Sequence, residues 1–136
     1  MSDANREVCI RLNQEVFGQG RVELVDELVA PDFREHAAPP GTPTGPDAVR
    51  ATVRFIHGGI DDISYDIEDS VVEGDSVVLR VTMHGTHARE FFGVPGTGKR
   101  FTMQQIHIFR LAGGKVTDHW ATRDDLGMMR QIGALG

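Results

Sequence analysis

The sequence predicts an α+β fold in which helices come first and an antiparallel sheet follows. Near the N-terminus apolar residues recur with the spacing of amphipathic helices. From Ile63 onward they alternate with polar residues, as in strands with one buried face. Short glycine-containing turns join these later segments. A curved sheet with helices packed on its concave face forms a cone, and its mouth is where a small molecule would bind.

The first half of the chain predicts three helices. Residues 8–17 form an amphipathic helix that ends at two glycines. A short second helix over residues 24–29 is stopped by Pro31, which cannot donate a helical hydrogen bond. An extended piece over residues 32–36 leads into a proline-rich loop, and Pro46 opens the third helix.

The second half predicts strands, a loop and a final helix. The strands cover residues 63–71, 77–87, 100–111 and 115–123. Residues 88–98 contain two phenylalanines and three glycines, which indicates a loop or lid. Asp69 alternates in phase with apolar positions, although a position near solvent at the strand end is the favoured interpretation. Asp124 is predicted to cap the last helix.

Composition and charge exclude several classes of function. A chain of 136 residues with 40% hydrophobic residues predicts one domain over residues 1–136. The single cysteine, Cys9, excludes an internal disulfide, and a reduced, half-buried thiol is expected. A net charge of −6 without a basic stripe argues against nucleic acid. No apolar run approaches a membrane span, and residues 1–5 do not resemble a signal peptide, so a cytoplasmic protein is expected.

The last hairpin predicts which side chains share one face of the sheet. A three-residue turn over residues 112–114, with glycine at its third position, would pair Leu111 with Lys115. Three further opposed pairs then lie on that face: His107 with His119, Gln105 with Ala121, and Met103 with Arg123. A two-residue turn is the alternative, and it would shift the register by one and place Trp120 opposite Gln105.

Two histidines and a glutamine on one face predict a polar site. Buried polar groups need hydrogen-bond partners, and here the candidates are each other or a ligand. Histidines bonded to each other on a solvated sheet face remain the alternative. A reference pKa near 6.5 makes His107 or His119 a usable base at neutral pH.

Several segments resemble the SnoaL-like polyketide cyclases, which have the cone of the nuclear-transport-factor-2-like fold. The resemblance covers nearly the whole chain in order. Its motifs are Asp-Phe-Arg-Glu-His at 32–36, Gly-Thr-His at 85–87, Phe-Gly-Val-Pro-Gly-Thr-Gly-Lys-Arg at 92–100, Ile-His-Ile-Phe-Arg-Leu at 106–111 and Asp-His-Trp at 118–120.

The resemblance implies a cofactor-free homo-oligomer, dimer or tetramer, whose cavity takes a hydrophobic, aromatic polyketide ester. Family cyclases close a ring by intramolecular aldol addition, which needs a base and donors to the enolate oxygen. Their acid/base is an aspartate directly after the tryptophan of the last strand, beside a histidine. That histidine is matched by His107, but Ala121 holds the aspartate's position.

The candidate site follows from the predicted face and the resemblance. The candidate catalytic residues are His107, His119, Gln105 and His36, and no metal site is expected from the three imidazoles. Arg89 and Gly96 depart from the family pattern at the expected mouth, where they would affect which substrate enters. The candidate substrate-binding residues are Phe33, Tyr65, Met83, Phe91, Phe92, Met103, Phe109, Ala121 and Arg123.

Because Ala121 cannot ionise, the first functional hypothesis is a tailoring enzyme of aromatic polyketide biosynthesis that hydroxylates its substrate, alone or as one component. No glycine fingerprint for a dinucleotide is present, so a hydroxylase would need a separate reductase or a self-activating substrate. One alternative is a ring-closing cyclase that uses His107 or His119. Another is a non-catalytic small-molecule-binding protein.

Overall fold

The computed structural model describes residues 2–135, in which helices pack on a five-stranded sheet. The α-helices are α1 (Ser2–Arg11), α2 (Val25–Leu28), α3 (Pro46–Gly59) and α4 (Asp125–Gln131). A π-helical segment (Leu12–Gly18) continues α1, and a 3₁₀ turn (Val22–Leu24) precedes α2. The strands are β1 (Val29–Glu35), β2 (Ile60–Glu73), β3 (Ser76–His87), β4 (Arg100–Ala112) and β5 (Lys115–Arg123).

The sheet is mixed, whereas the sequence predicted antiparallel pairing. Its strand order is β1-β5-β4-β3-β2, and β1 pairs in parallel with β5. The second helix was predicted to include Val29, but α2 ends at Leu28 and Val29 begins β1. Pro31 lies within β1, which is an edge strand and therefore tolerates a residue that has no backbone N–H to donate.

The predicted register of the last hairpin is wrong by two residues. Gly113 and Gly114 both have positive φ, 59° and 79°, and form a two-residue turn that pairs Ala112 with Lys115. Thr117 is an extra residue on β5, since Arg110 pairs with Asp118 while Leu111 pairs with Val116.

Turn and bulge together move the pairing by two residues, so the side chains from Asp118 onward keep their predicted face. Before the bulge, Val116 and not Lys115 lies opposite Leu111. The observed pairs are Gln105 with Arg123, His107 with Ala121, and Phe109 with His119. Trp120 lies opposite Ile108, on the other face, and not opposite Gln105.

The core lies on the concave face of the sheet. Buried and exposed residues alternate without interruption along β4, and the helices cover the buried side. Cys9 was expected to be half-buried but is fully enclosed in this core, where burial raises the thiol pKa to about 12. No helix within residues 2–135 is long and apolar enough to cross a membrane.

Candidate functional site

A cavity of about 620 Å³ lies between the concave face of the sheet, α3 and the loop after β1. Its walls are mostly apolar, with Phe55 and Ile56 contributed by α3 and Met83 and Met103 by the sheet. Charged and amide side chains also reach the wall: Glu35, Gln105, Arg123 and Asp125. Its volume falls in the usual range of small-molecule sites, and so does the combination of apolar wall with a few polar groups.

Four side chains form a hydrogen-bonded chain that reaches the cavity at both ends. Glu35 contacts His119 Nδ1 through both carboxylate oxygens, at 2.8 and 2.9 Å. His119 Nε2 lies 2.8 Å from His107 Nδ1, and His107 Nε2 lies 2.7 Å from Gln105 Oε1. The two imidazoles stack on the ring of Phe109, which is buried in the core. The histidines are therefore bonded to each other, and Glu35 and Gln105 present the chain to the cavity.

Parallel pairing of β1 with β5 brings Glu35 to this chain. Glu35 is the register partner of His119, and its side chain is only 8% exposed. His36 directly follows the end of β1, and its side chain points away from the cavity. There its Nε2 lies 2.9 Å from Asp118 Oδ2, and its ring stacks on Trp120 with 4.5 Å between the ring centroids. The prediction that His36 reaches the site is wrong, and the three imidazoles do not converge.

Burial and charge set the protonation of the groups around the chain. Desolvation lowers the pKa of His107 well below its ordinary value, and the nearby His119 and Arg123 lower it further. Burial raises the pKa of Tyr65 to about 12, against a smaller opposing effect of Arg123. His107 is therefore a neutral ring and Tyr65 a neutral phenol. The positive charge of Arg123 acts on both groups from the cavity wall.

The predicted substrate-binding residues divide between the cavity and the core. Those that line the cavity are Met83, Phe91, Phe92, Met103 and Arg123. Tyr65 and Phe109 are buried in the core. Phe33 is also buried and faces a second groove beneath the proline-rich loop. Ala121 is half-buried opposite His107, and the cavity-lining residues do not include it.

Three phenylalanines form an aromatic cluster at the mouth. Phe55 of α3 lies 4.9 Å from Phe91 and 5.1 Å from Phe92, between ring centroids, and Phe91 lies 4.7 Å from Phe92. Phe55 and Phe92 are 48% and 53% exposed. Phe92 has a φ of 50°, an uncommon conformation for a non-glycine residue. The mouth therefore presents exposed aromatic surface to a ligand.

Arg89 attaches the loop over residues 88–98 to the end of α3. Its guanidinium donates to the carbonyl oxygens of His57 and Gly58, at 3.2 and 2.8 Å. It also pairs with Asp61 at 2.6 Å. At Gly96 a Cβ would collide with the backbone of Ala88, so this loop conformation requires glycine there. Arg89 thus holds the loop in place, and Gly96 permits its conformation.

Two aspartates considered from the sequence have structural positions. Asp124 accepts a hydrogen bond from the backbone N–H of Gly127 at 2.9 Å, which confirms the predicted helix cap. Asp69 is exposed and pairs with Arg80 at 2.9 Å. A register shift between Ile67 and Asp69 breaks the alternation that would have turned it inward.

Sequence reasoning missed Glu35 and Phe55. The signal for Glu35 was present, because Phe33 was a candidate binding residue and the alternate residue of an extended segment shares its face. Phe55 lies on α3, a helix from which no site residue was predicted.

Comparisons with known proteins show which family the sequence matches. A family model for SnoaL-like polyketide cyclases matches residues 7–132. Nogalonic acid methyl ester cyclase from Streptomyces nogalater is 32% identical over 119 residues, which cover 86% of this chain and 89% of that protein.

Solved structures share the whole architecture. TsrD from Streptomyces laurentii superposes with a TM-score of 0.90 at 29% identity, and the match covers 98% of each chain. AclR from Streptomyces galilaeus, a candidate hydroxylase, has a TM-score of 0.85 at 20% identity over 100% of both chains. At that identity the likeness concerns the fold alone. These matches confirm the predicted α+β cone.

Proposed function

Because this chain belongs to the SnoaL-like polyketide cyclases, we propose that it closes a ring in a polyketide ester by intramolecular aldol addition. The observation that carries the proposal is a largely apolar cavity lined by both end residues, Glu35 and Gln105, of a buried hydrogen-bonded chain through His119 and His107. Apolar walls suit the carbon skeleton of such an ester. The polar groups suit its carbonyl-rich part, where the reaction occurs.

The reaction requires a proton to move twice. A base takes the acidic proton from the carbon between two carbonyls, and the resulting enolate carbon forms a bond to a ketone carbon within the same molecule. The ketone π electrons become an alkoxide, which then receives a proton. No atom is gained or lost, so the product is an isomer of the substrate.

Arg123 and Gln105 support the two anionic states of this reaction. The guanidinium of Arg123 lies on the cavity wall, and its charge would stabilise an enolate or alkoxide oxygen placed near it. Gln105 lines the same wall, and its amide is held by His107 and by the sulfurs of Met83 and Met103. A fixed amide costs little reorganisation when charge develops nearby.

Hydroxylation, the first hypothesis from the sequence, stays a prediction. It rested on the absence of a carboxyl group at position 121, and β1 places another carboxyl group, that of Glu35, on the cavity wall. Nogalonic acid methyl ester cyclase, at 32% identity, is named for ring closure, whereas AclR, at 20% identity, is similar in fold alone. Ring closure therefore has the stronger support.

The mass of the product separates the candidate functions. Purified protein is incubated with nogalonic acid methyl ester, and the products are separated and weighed by liquid chromatography–mass spectrometry. We expect a new species of unchanged mass whose formation is proportional to protein concentration. A product heavier by one oxygen would support the hydroxylase, and saturable binding without a product would support a binding protein. Either result would overturn the proposal.

A further inference from the structure

We propose that Glu35 is the catalytic acid/base of this cavity and that one proton is shared between it and His119. The inference rests on the proposed ring closure and names the group that performs it. Its starting point is geometric: Glu35 lines the cavity, and both of its carboxylate oxygens contact Nδ1 of His119.

Two carboxylates line the cavity, and of these Glu35 is the buried and hydrogen-bonded one. Its side chain is 8% exposed and both oxygens face the Nδ1 of a buried imidazole. Asp125 is exposed at the start of α4. Ala121, opposite His107, has no group that could ionise. A proton-transfer group must be held in one orientation, which the Glu35–His119 contact provides.

The number of protons in the chain can be counted from its far end. The amide nitrogen of Gln105 faces two thioether sulfurs, those of Met83 at 3.5 Å and Met103 at 3.3 Å. Thioethers only accept hydrogen bonds, so the NH₂ group belongs on that side and the amide oxygen faces His107. This oxygen is also only an acceptor. His107 must therefore donate to it from Nε2.

The rest of the chain follows from the neutrality of His107. With its proton on Nε2, the Nδ1 of this ring is an acceptor, and His119 must donate to it from Nε2. The remaining nitrogen, Nδ1 of His119, faces the carboxylate of Glu35. A hydrogen bond between these two groups requires one additional proton, carried by Nδ1 or by the carboxyl oxygen. Gln105 and the two methionines thus determine that the Glu35–His119 pair, at the other end of the chain, holds this additional proton.

This arrangement gives the reaction a balanced route. The Glu35 carboxylate takes the acidic proton from the substrate carbon and becomes a carboxylic acid, while the His119 imidazolium holds the carboxyl group in place. After the carbon–carbon bond has formed, Glu35 gives that proton to the alkoxide oxygen. The carboxylate is restored, and His119 acts as a positioning residue throughout.

The first test is the rate of ring closure in variants at Glu35. Glu35→Gln keeps the shape and removes the titrating group, so kcat should fall by about 10²–10⁴-fold, the usual contribution of one acid/base. Glu35→Asp should retain part of the activity. Asp32→Asn, on the exposed side of the same strand, is the matched control and should match wild type. A Glu35→Gln protein that folds and keeps full kcat would overturn the proposal, as would a loss seen in Asp125→Asn instead.

A second variant separates lost chemistry from lost folding. In the Glu35→Gln background, Ala121→Asp places a new carboxyl group on the strand position opposite His107. We expect this double variant to recover a measurable rate, because the chain regains a proton-transfer group on the same face of the sheet. A double variant that folds and stays inactive would show that a carboxyl group is not what Glu35→Gln lost.

Nuclear magnetic resonance of the histidine side chains tests the proton count without any substrate. With ¹⁵N-labelled protein, His107 should be the Nε2–H tautomer, and the Nδ1 signal of His119 should change in Glu35→Gln. A His107 ring protonated on Nδ1 would mean that no additional proton is shared, and it would overturn the proposal. If wild type closes no ring while this pattern is observed, the proposed function fails but the shared proton stands.

Discussion

Replacing Gln105 by leucine tests whether the hydrogen bond between Gln105 and His107 stabilises the fold, as the buried chain indicates. Leucine has nearly the same size, so the main change is the loss of the amide oxygen that accepts from His107 Nε2 at 2.7 Å. Gln105 and His107 are 4% and 7% exposed, so water would not readily replace the lost partner. A buried donor without a partner costs about 1–3 kcal/mol.

This cost is measurable by urea denaturation. The free energy of unfolding should fall by about 1–3 kcal/mol with an unchanged dependence on urea concentration. The matched control is Gln104→Leu, at the neighbouring, exposed position of the same strand. Its effect should stay within about 0.5 kcal/mol, as for other exposed substitutions.

A double-mutant cycle then isolates the Gln105–His107 interaction. His107→Leu combined with Gln105→Leu removes donor and acceptor together, so the double variant should be less destabilised than the sum of the single variants. Additive costs, or a Gln105→Leu protein as stable as Gln104→Leu, would contradict the hydrogen-bonded chain.

Three further changes probe the cap, the mouth and the buried ring. Asp124→Ala should lower the free energy of unfolding by about 1 kcal/mol while turnover survives. Asp124→Asn should keep both the stability and the turnover of wild type. A folded but inactive Asp124→Ala would mean that this aspartate transfers protons. Arg89→Met should speed amide hydrogen exchange in residues 88–98 and raise KM, and unchanged exchange would show that Arg89 does not hold the loop. Because burial lowers the pKa of His107, the unfolded chain binds more protons, so stability should fall as pH drops below about 6.5. The fall should be smaller in His107→Gln, and an identical pH dependence in both proteins would refute this assignment.

The fold could be predicted because its signals are local. Period-two alternation gave the four antiparallel strands, and the helical spacing and Pro46 gave the first and third helices. Asp124 before an apolar stretch gave the cap, which the structure confirms. Each of these features depends on residues that lie close together in the sequence.

The candidate site was predicted only in part because its assembly depends on distant pairings. The parallel pairing of β1 with β5 joins residues more than 80 positions apart, and it decides that Glu35 faces inward and His36 outward. The bulge at Thr117 is also invisible in the alternation pattern. Together with the two-residue turn, it changed the partners of His107 and His119 but left their face intact, because the total shift was even.

Proton exchange at the substrate carbon tests the central claim most directly. Nogalonic acid methyl ester is incubated with the protein in deuterated water, and deuterium at the carbon between the two carbonyls is followed by mass spectrometry. We predict protein-dependent deuterium incorporation together with an isomeric product, and a large loss of both in Glu35→Gln relative to Asp32→Asn. Binding of the ester with no exchange above the protein-free rate would contradict the account.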